Sequence, residues 1–282
     1  MTNDTISADA IGDGLQTRIL GHRIVYHEQV GSTNDAAKQL AETGEPEGTL
    51  VIADEQTAGR GRLARTWVAP PRSSILMSLI LHPGLAPHQA PRVTMVVALG
   101  ACDAIHAETG LNAAIKWPND ILLNGKKCAG ILAESGIVGD KLEYVIVGLG
   151  VNVNFALTDI IQVATSDSRF LPFGETWNLN GNVTTIADEM RKPCARVPLI
   201  QSILRSIENY YLRLRAGENL REEFANRLTT LGKSIQAQTP WGIEAGVAED
   251  VDDDGALQLR RADNSLVRLV AGEVTLAKMR GG

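Results

Sequence analysis

The residues able to do chemistry fall into four short segments. The first, Gly59-Arg60-Gly61-Arg62-Leu63-Ala64-Arg65-Thr66-Trp67, sets three arginines beside two glycines. Glycine lets a ligand come close to backbone N–H groups, and each guanidinium offers a planar fork of donors to a carboxylate or phosphate. Trp67 adds a flat apolar surface. The second, Lys116-Trp117-Pro118-Asn119-Asp120, groups a cation, an amide and a carboxylate. Asp120 is the kind of single carboxylate that shares Mg²⁺ with nucleotide phosphates. The third is Lys127, followed by Gly130 as a point of close approach. The fourth, Gly148 to Asn154, spaces two glycines and two amides along a strand end. Singly, each has an ordinary reading: a solvated hairpin lysine, a turn or cap aspartate. Together they describe a phosphate- or anhydride-bearing ligand gripped without a P-loop.

Other patterns fail on counting. Gly232-Lys233-Ser234 has the ending of a P-loop, but Arg227 stands where that loop needs its first glycine. Gly59, Gly61 and Ala64 fit a loose dinucleotide pattern, yet the Arg65–Pro71 stretch cannot open the helix that pattern requires. Asp250, Asp252, Asp254 and Gly255 match half a calcium loop, with Arg261 in place of the bidentate glutamate, and read as a solvated turn. No zinc-ligand spacing and no Gly-x-Ser-x-Gly elbow occurs.

Positioning these segments takes a sizeable scaffold. The 282 residues suffice for one large domain or two unequal ones. With 44% hydrophobic and 21% charged residues the composition is that of an ordinary globular protein. No apolar run approaches the roughly 18 residues of a membrane span, so no membrane partner is expected. Three widely separated cysteines suggest reduced thiols and a cytoplasmic location. The net charge of −6 argues against a nucleic-acid partner. Yet no Asp or Glu occurs between Glu55 and Asp103, a stretch that holds five arginines. A local cationic segment in an acidic chain suits a small anion.

Residues 1–22 read as a disordered or extended tail. Ile24–Val30 reads as a strand, and Ser32 with Asp35 as a capping box opening a helix that ends at Gly44. Thr49–Asp54 and Ser74–Leu81 read as strands, and Pro91–Thr109 as a buried helix. Asn124-Gly125 between apolar runs marks a hairpin. Residues 155–195 read as a long insertion with loops. Pro198–Leu214 carries helical apolar spacing, and a short helix follows near Leu220–Leu228. From Gly232 short alternating segments predict a small β module, too small to stand alone, docked on the larger domain. The expected division is 23–231 for the larger domain and 232–282 for the module.

The four segments, in this order and spacing, closely resemble the signatures of biotin protein ligases. Ser32-Thr33-Asn34 and Gln56 are similar to the family's biotin-contact segments. The resemblance spans Tyr26–Asn154 strongly. It extends to the C-terminal module, whose Gly272-Glu273-Val274-Thr275-Leu276 ending looks like the family's SH3-like domain. It implies an α+β fold, with a mixed β-sheet catalytic domain, helices packed on it and a small SH3-like β-barrel. It also implies ATP-dependent activation of biotin as biotinyl-5′-AMP and transfer to a specific lysine of a biotin carboxyl carrier protein, such as a subunit of acetyl-CoA carboxylase. The same resemblance implies no tightly bound cofactor, with biotin and ATP with Mg²⁺ as substrates.

By the same resemblance Ser32, Thr33, Asn34, Gln56, Arg60, Gly61, Arg62, Lys127 and Gly130 bind biotin. Arg60, Arg62, Trp67, Asn119, Asp120 and Asn152 bind ATP or the adenylate. Arg62 and Lys127 carry the catalysis, and Asp120 is the metal candidate. Two features depart from the family pattern: Ala64 replaces a usual glycine, and the 155–197 insertion has no counterpart. The chain lacks the winged-helix segment of regulatory members, so it resembles the non-repressor type; the family allows a homodimer. The alternatives are a lipoate or octanoate ligase or transferase of the same fold, and a non-catalytic biotin-binding regulator.

Overall fold

A computed structural model describes residues 4–63, 65–156, 158–159, 182–239 and 242–276. Ala64 and most of the 155–197 insertion lie outside the described residues.

The larger part is built on a seven-stranded mixed sheet. Its strands are β1 (Ile24–Val30), β2 (Leu50–Gln56), β3 (Ser74–Leu81), β4 (Ala113–Lys116), β5 (Asp120–Leu123), β6 (Lys126–Val138) and β7 (Lys141–Asn152), in the order β1-β2-β3-β7-β6-β5-β4. Only β1 and β2 run parallel; the other neighbours are antiparallel. The parallel pair needs a crossover, and α2 (Thr33–Glu42) supplies it. Every residue of β3 is buried, as its unbroken apolar run requires at the centre of a covered sheet. The β5–β6 hairpin turns at Asn124 (φ 49°) and Gly125 (φ 79°), the left-handed pair that an Asn-Gly turn predicts.

Helix α3 (Pro91–Thr109) buries its middle, Met95 to Cys102 without a break, and exposes its last turn. Pro91 opens it and Gly110, at φ 73°, closes it. Further along come α4 (Ile186–Met190), α5 (Arg196–Arg215) and α6 (Arg221–Arg227). Leu199, Ile203, Ile207 and Leu214 of α5 recur at helical spacing and enter the same core as α3. The C-terminal part is a five-stranded antiparallel sheet of β8 (Ser234–Thr239), β9 (Gly242–Val251), β10 (Leu257–Arg260), β11 (Leu266–Leu269) and β12 (Glu273–Leu276), ordered β11-β10-β9-β8-β12. The fold is therefore α+β with a small β module at the C-terminal end. Ile235, Ala237, Ala248 and Leu257 of that module join the main core, so the two parts share apolar burial.

Three expectations need correction. The tail is not free: from Asp4 on it carries a short helix, α1 (Ala8–Gly12), and buries Ile6, Ile11 and Leu20. Long-range polar partners hold it. Glu208 of α5 accepts the backbone N–H groups of Ile19 (2.6 Å) and Leu20 (2.9 Å). Arg196, with 3% of its side chain exposed, pairs with Asp4 (2.8 Å) and with Asp54 of β2 (3.1 Å). Second, Ser32 sits at the N-cap of α2 but its hydroxyl makes no capping bond, and Asp35 binds Arg60 instead of closing a box. Third, β4 was not legible as a strand; it is four residues long and takes its place by pairing with β5.

Removing one member of a buried ion pair strands the other, at about 3 kcal/mol. Arg196→Ala is expected to lose about that much stability in urea unfolding. A loss under about 0.5 kcal/mol, the level of a surface change, would contradict the assigned role.

Candidate active site

The cavity exists because its floor lacks side chains. In the β6–β7 register Gly130 lies opposite Gly150, and Gly148 lies opposite Leu132 and, across β3, Ser78. A Cβ at Gly150 would sit 2.6 Å from Cε2 of Trp67, and one at Gly130 would sit 2.9 Å from its Cζ3. A Cβ at Gly148 would sit 2.1 Å from Oδ1 of Asn34. The indole of Trp67 therefore rests on bare backbone, and its buried Nε1 has no acceptor among the described residues. Around it opens a cavity of about 780 Å³, ample for a drug-sized ligand.

One end is polar, buried and uncharged. Gln56, at the end of β2, accepts the Thr33 N–H (2.7 Å) and hydroxyl (3.0 Å) through one oxygen. Its amide NH₂ and the Ser32 hydroxyl have no hydrogen-bond partner among the described residues, although Ser32 is buried. These are donors and acceptors held ready for a ligand. Asn34 behaves differently. Its NH₂ donates to Glu134 (2.7 Å) and to the Leu132 carbonyl (3.2 Å), and its oxygen accepts from Ser78 (2.7 Å). Asn34 lines the cavity but its amide is spent on bracing the wall.

The other end is cationic, and most of its cations are already occupied. Arg60 donates to both oxygens of Glu134 (3.0 and 2.8 Å) and to Asp35 (2.6 Å). Burial works to lower its pKa, but these two carboxylates outweigh it and the guanidinium is held charged. Lys127 pairs with Asp120 (2.6 Å) and lies 5.6 Å from the centre of the Trp67 ring. Its backbone is clamped on both sides, donating to Asn182 (2.8 Å) and accepting from Thr184 (2.9 Å). Arg62 meets only neutral acceptors, Asn119 Oδ1 (2.8 Å) and the Gly272 carbonyl (3.2 Å). Burial pushes its pKa down. The nearby Asp120 and Glu273 carboxylates work against that shift without cancelling it, and an incoming anion would relieve the remaining desolvation. Asn119 is fixed by its own bond to the Ile131 carbonyl (2.7 Å), and the Asn152 amide donates to Thr184 (3.2 Å).

The structure thus brings every sequence-predicted site residue to one cavity. It also adds residues whose roles need tertiary neighbours to be seen. Ser78 and Glu134 brace the polar end, Gly272 and Glu273 of the C-terminal module bind Arg62 and Arg65, and Lys233 reaches the same cavity. Within the arginine loop the left-handed residue described is Leu63, at φ 55°. Asp120 offers one carboxylate, which suits an ion whose remaining ligands are phosphates and water. Among the described residues no group of three or more His, Cys, Asp or Glu could hold a metal on its own.

Residues 26–152 match the Biotin/lipoate A/B protein ligase family, and residues 230–276 match the Biotin protein ligase C terminal domain. The biotin–[acetyl-CoA-carboxylase] ligase of Paracoccus denitrificans is 34% identical, over 81% of this chain and 90% of that protein. The bifunctional ligase/repressor BirA of Bacillus subtilis is 32% identical over 96% of this chain and 79% of that protein. The chain belongs to the biotin protein ligase family. The fold agrees. Biotin protein ligase from Aquifex aeolicus, solved with biotin and ATP, superposes with a TM-score of 0.71 at 23% identity, over 91% of this chain and 99% of that one. The Leishmania major biotin protein ligase, solved with biotinyl-5-AMP, gives 0.57 at 25% identity, over 89% and 99%. As a biotin protein ligase the chain is an enzyme, and the cavity on the glycine floor is where its chemistry is sought.

In this ligase Gly148 and Asn34 compete for one space. Gly148→Ala is expected to cost about 1–3 kcal/mol by overpacking. The double variant Gly148→Ala/Asn34→Ala should then be more stable than the sum of the two single losses predicts. Strict additivity in urea unfolding would show that the two residues do not touch.

Proposed function

We propose that the chain activates biotin with Mg·ATP and transfers it to a lysine of a biotin carboxyl carrier protein. The observation that carries this reading is the two-ended cavity. Unspent polar groups of Ser32 and Gln56 lie at one end and the cations of Arg62 and Lys127 at the other, joined by the glycine floor. A urea-like head group needs hydrogen bonds without charge, while a carboxylate meeting a triphosphate needs fixed positive charge. Biotin carries a urea-like head group and a carboxylate on one molecule.

In the first step a carboxylate oxygen of biotin attacks the α-phosphorus of ATP. A new P–O bond forms, the bond to the bridging oxygen breaks, and pyrophosphate leaves with the electron pair. Arg62 and Lys127 offset the charge gathering on the α-phosphoryl oxygens. As Lys127 turns from Asp120 to the phosphate, Asp120 is the carboxylate that would hold magnesium, which would offset further phosphate charge. Trp67 covers the adenylate and keeps water from it. In the second step the carrier's neutral ε-amine attacks the mixed anhydride carbonyl. An amide forms, AMP leaves, and the ammonium proton passes to solvent. The names of the Paracoccus and Mycobacterium tuberculosis relatives, biotin–[acetyl-CoA-carboxylase] ligases, support a carboxylase subunit as the carrier. A lipoate or octanoate substrate would leave the Ser32 and Gln56 groups unsatisfied at the buried end, at roughly 1–3 kcal/mol per group.

Biotin-dependent exchange of labelled pyrophosphate into ATP, run in parallel with lipoate and octanoate, tests the first step. Exchange with biotin alone is expected; exchange with lipoate or octanoate instead would overturn the substrate. Arg62→Ala and Lys127→Ala should each slow adenylate formation by about 10²–10³ with an unchanged circular dichroism spectrum. Near-normal turnover in both would overturn the assigned roles.

A further inference from the structure

We infer that Lys233, at the entrance to β8, is a further nucleotide-binding residue, taking the β- and γ-phosphates with Lys116 and holding the departing pyrophosphate. This rests on the adenylate-forming reading above for its biological purpose, but not for its test.

Charge accounting around the cavity leads to it. Arg60 is met by Asp35 and Glu134, Arg65 by Glu273, and Lys127 by Asp120. Arg62 is bound by two neutral acceptors. Lys116 and Lys233 also line the cavity, and neither side chain has an ion pair or hydrogen bond among the described residues. A triphosphate brings more negative charge than Arg62 and Lys127 can meet at the α-phosphate. The remaining charge needs cations that are not already neutralised, and these two lysines fit.

The backbone holds them together although they are far apart in sequence. Ile115 of β4 bridges Leu228 in parallel, and Thr229 donates to the Ile115 carbonyl (2.8 Å). Trp117 N–H donates to the Thr230 hydroxyl (3.1 Å), and the Trp117 indole donates to the Gly255 carbonyl (2.8 Å). The segment leading to Lys233 is thereby tied to the strand end that carries Lys116. Gly232, at φ 74°, makes the turn, and two bonds with Ala248 of β9 (2.8 and 3.0 Å) fix it. The fixed backbone sets where the exposed Lys233 ammonium can reach, and its flexible stem lets it follow a phosphate. The Gly232-Lys233-Ser234 sequence that fails as a P-loop still delivers a lysine to a phosphate site, by way of a β-module turn instead of a helix N-terminus.

The test is titration calorimetry of inorganic pyrophosphate, with Mg²⁺, into the full chain and its variants. Lys233→Ala is expected to weaken pyrophosphate binding roughly tenfold or more, the value of one charge-assisted hydrogen bond. Lys233→Arg should restore most of it, and biotin affinity should stay within about twofold in both. Equal pyrophosphate affinity in wild type and Lys233→Ala, or no binding by the wild type, would overturn the inference. Pyrophosphate binding that depends on Lys233, in a chain without biotin-dependent exchange, would support the polyphosphate site and overturn the ligase reading instead.

Discussion

Missing side chains at Gly130, Gly148 and Gly150 are the constraint on which the site depends. These residues stand on two adjacent central strands, where any Cβ would enter the space now held by Trp67 or Asn34. Central strands are ordinarily built from β-branched residues, and glycine there gives up both packing and backbone entropy. The fold recovers that loss around the floor. β3 is buried along its whole length, α3 is buried through its middle, and the C-terminal module shares the core. The result is a stable sheet with a bare patch on which a flat or extended ligand can lie.

Around this floor the charged groups are arranged in pairs that a ligand can reopen. Lys127 rests on Asp120 and Arg60 on Glu134 and Asp35, so these two cations are held in place by carboxylates. Arg62 differs from these: it is desolvated and hydrogen-bonds neutral acceptors from both the catalytic sheet and the C-terminal module. The module is therefore part of the site and not an appendage. It supplies the Gly272 carbonyl, the Glu273 carboxylate and Lys233.

Much of this was legible where the signal is local. The bounds of β3 and α3 follow from an unbroken apolar run and a proline start. Asn124-Gly125 fixes its hairpin because both residues tolerate the left-handed backbone. The four chemical segments are contiguous and so reveal themselves in order. What stayed hidden depends on partners distant in sequence. The ordered N-terminal segment is held by Arg196 and Glu208, far along the chain. Asn34 carries the signature of a ligand contact, yet Ser78, Leu132 and Glu134 claim its amide. Lys233 has no motif that counts correctly, and it reaches the cavity through the pairing of Ile115 with Leu228 and the Trp117–Thr230 and Gly232–Ala248 bonds.

The most direct measurement of the central claim is a crystal structure with a non-hydrolysable biotinyl-adenylate analogue. The account predicts the ureido head within hydrogen-bond distance of Ser32 and Gln56, the linker on the glycine floor, and the phosphate analogue between Arg62 and Lys127, with Lys127 released from Asp120. An analogue bound in the reverse direction, or one that leaves the Lys127–Asp120 pair intact and Arg62 without an anion, would contradict it.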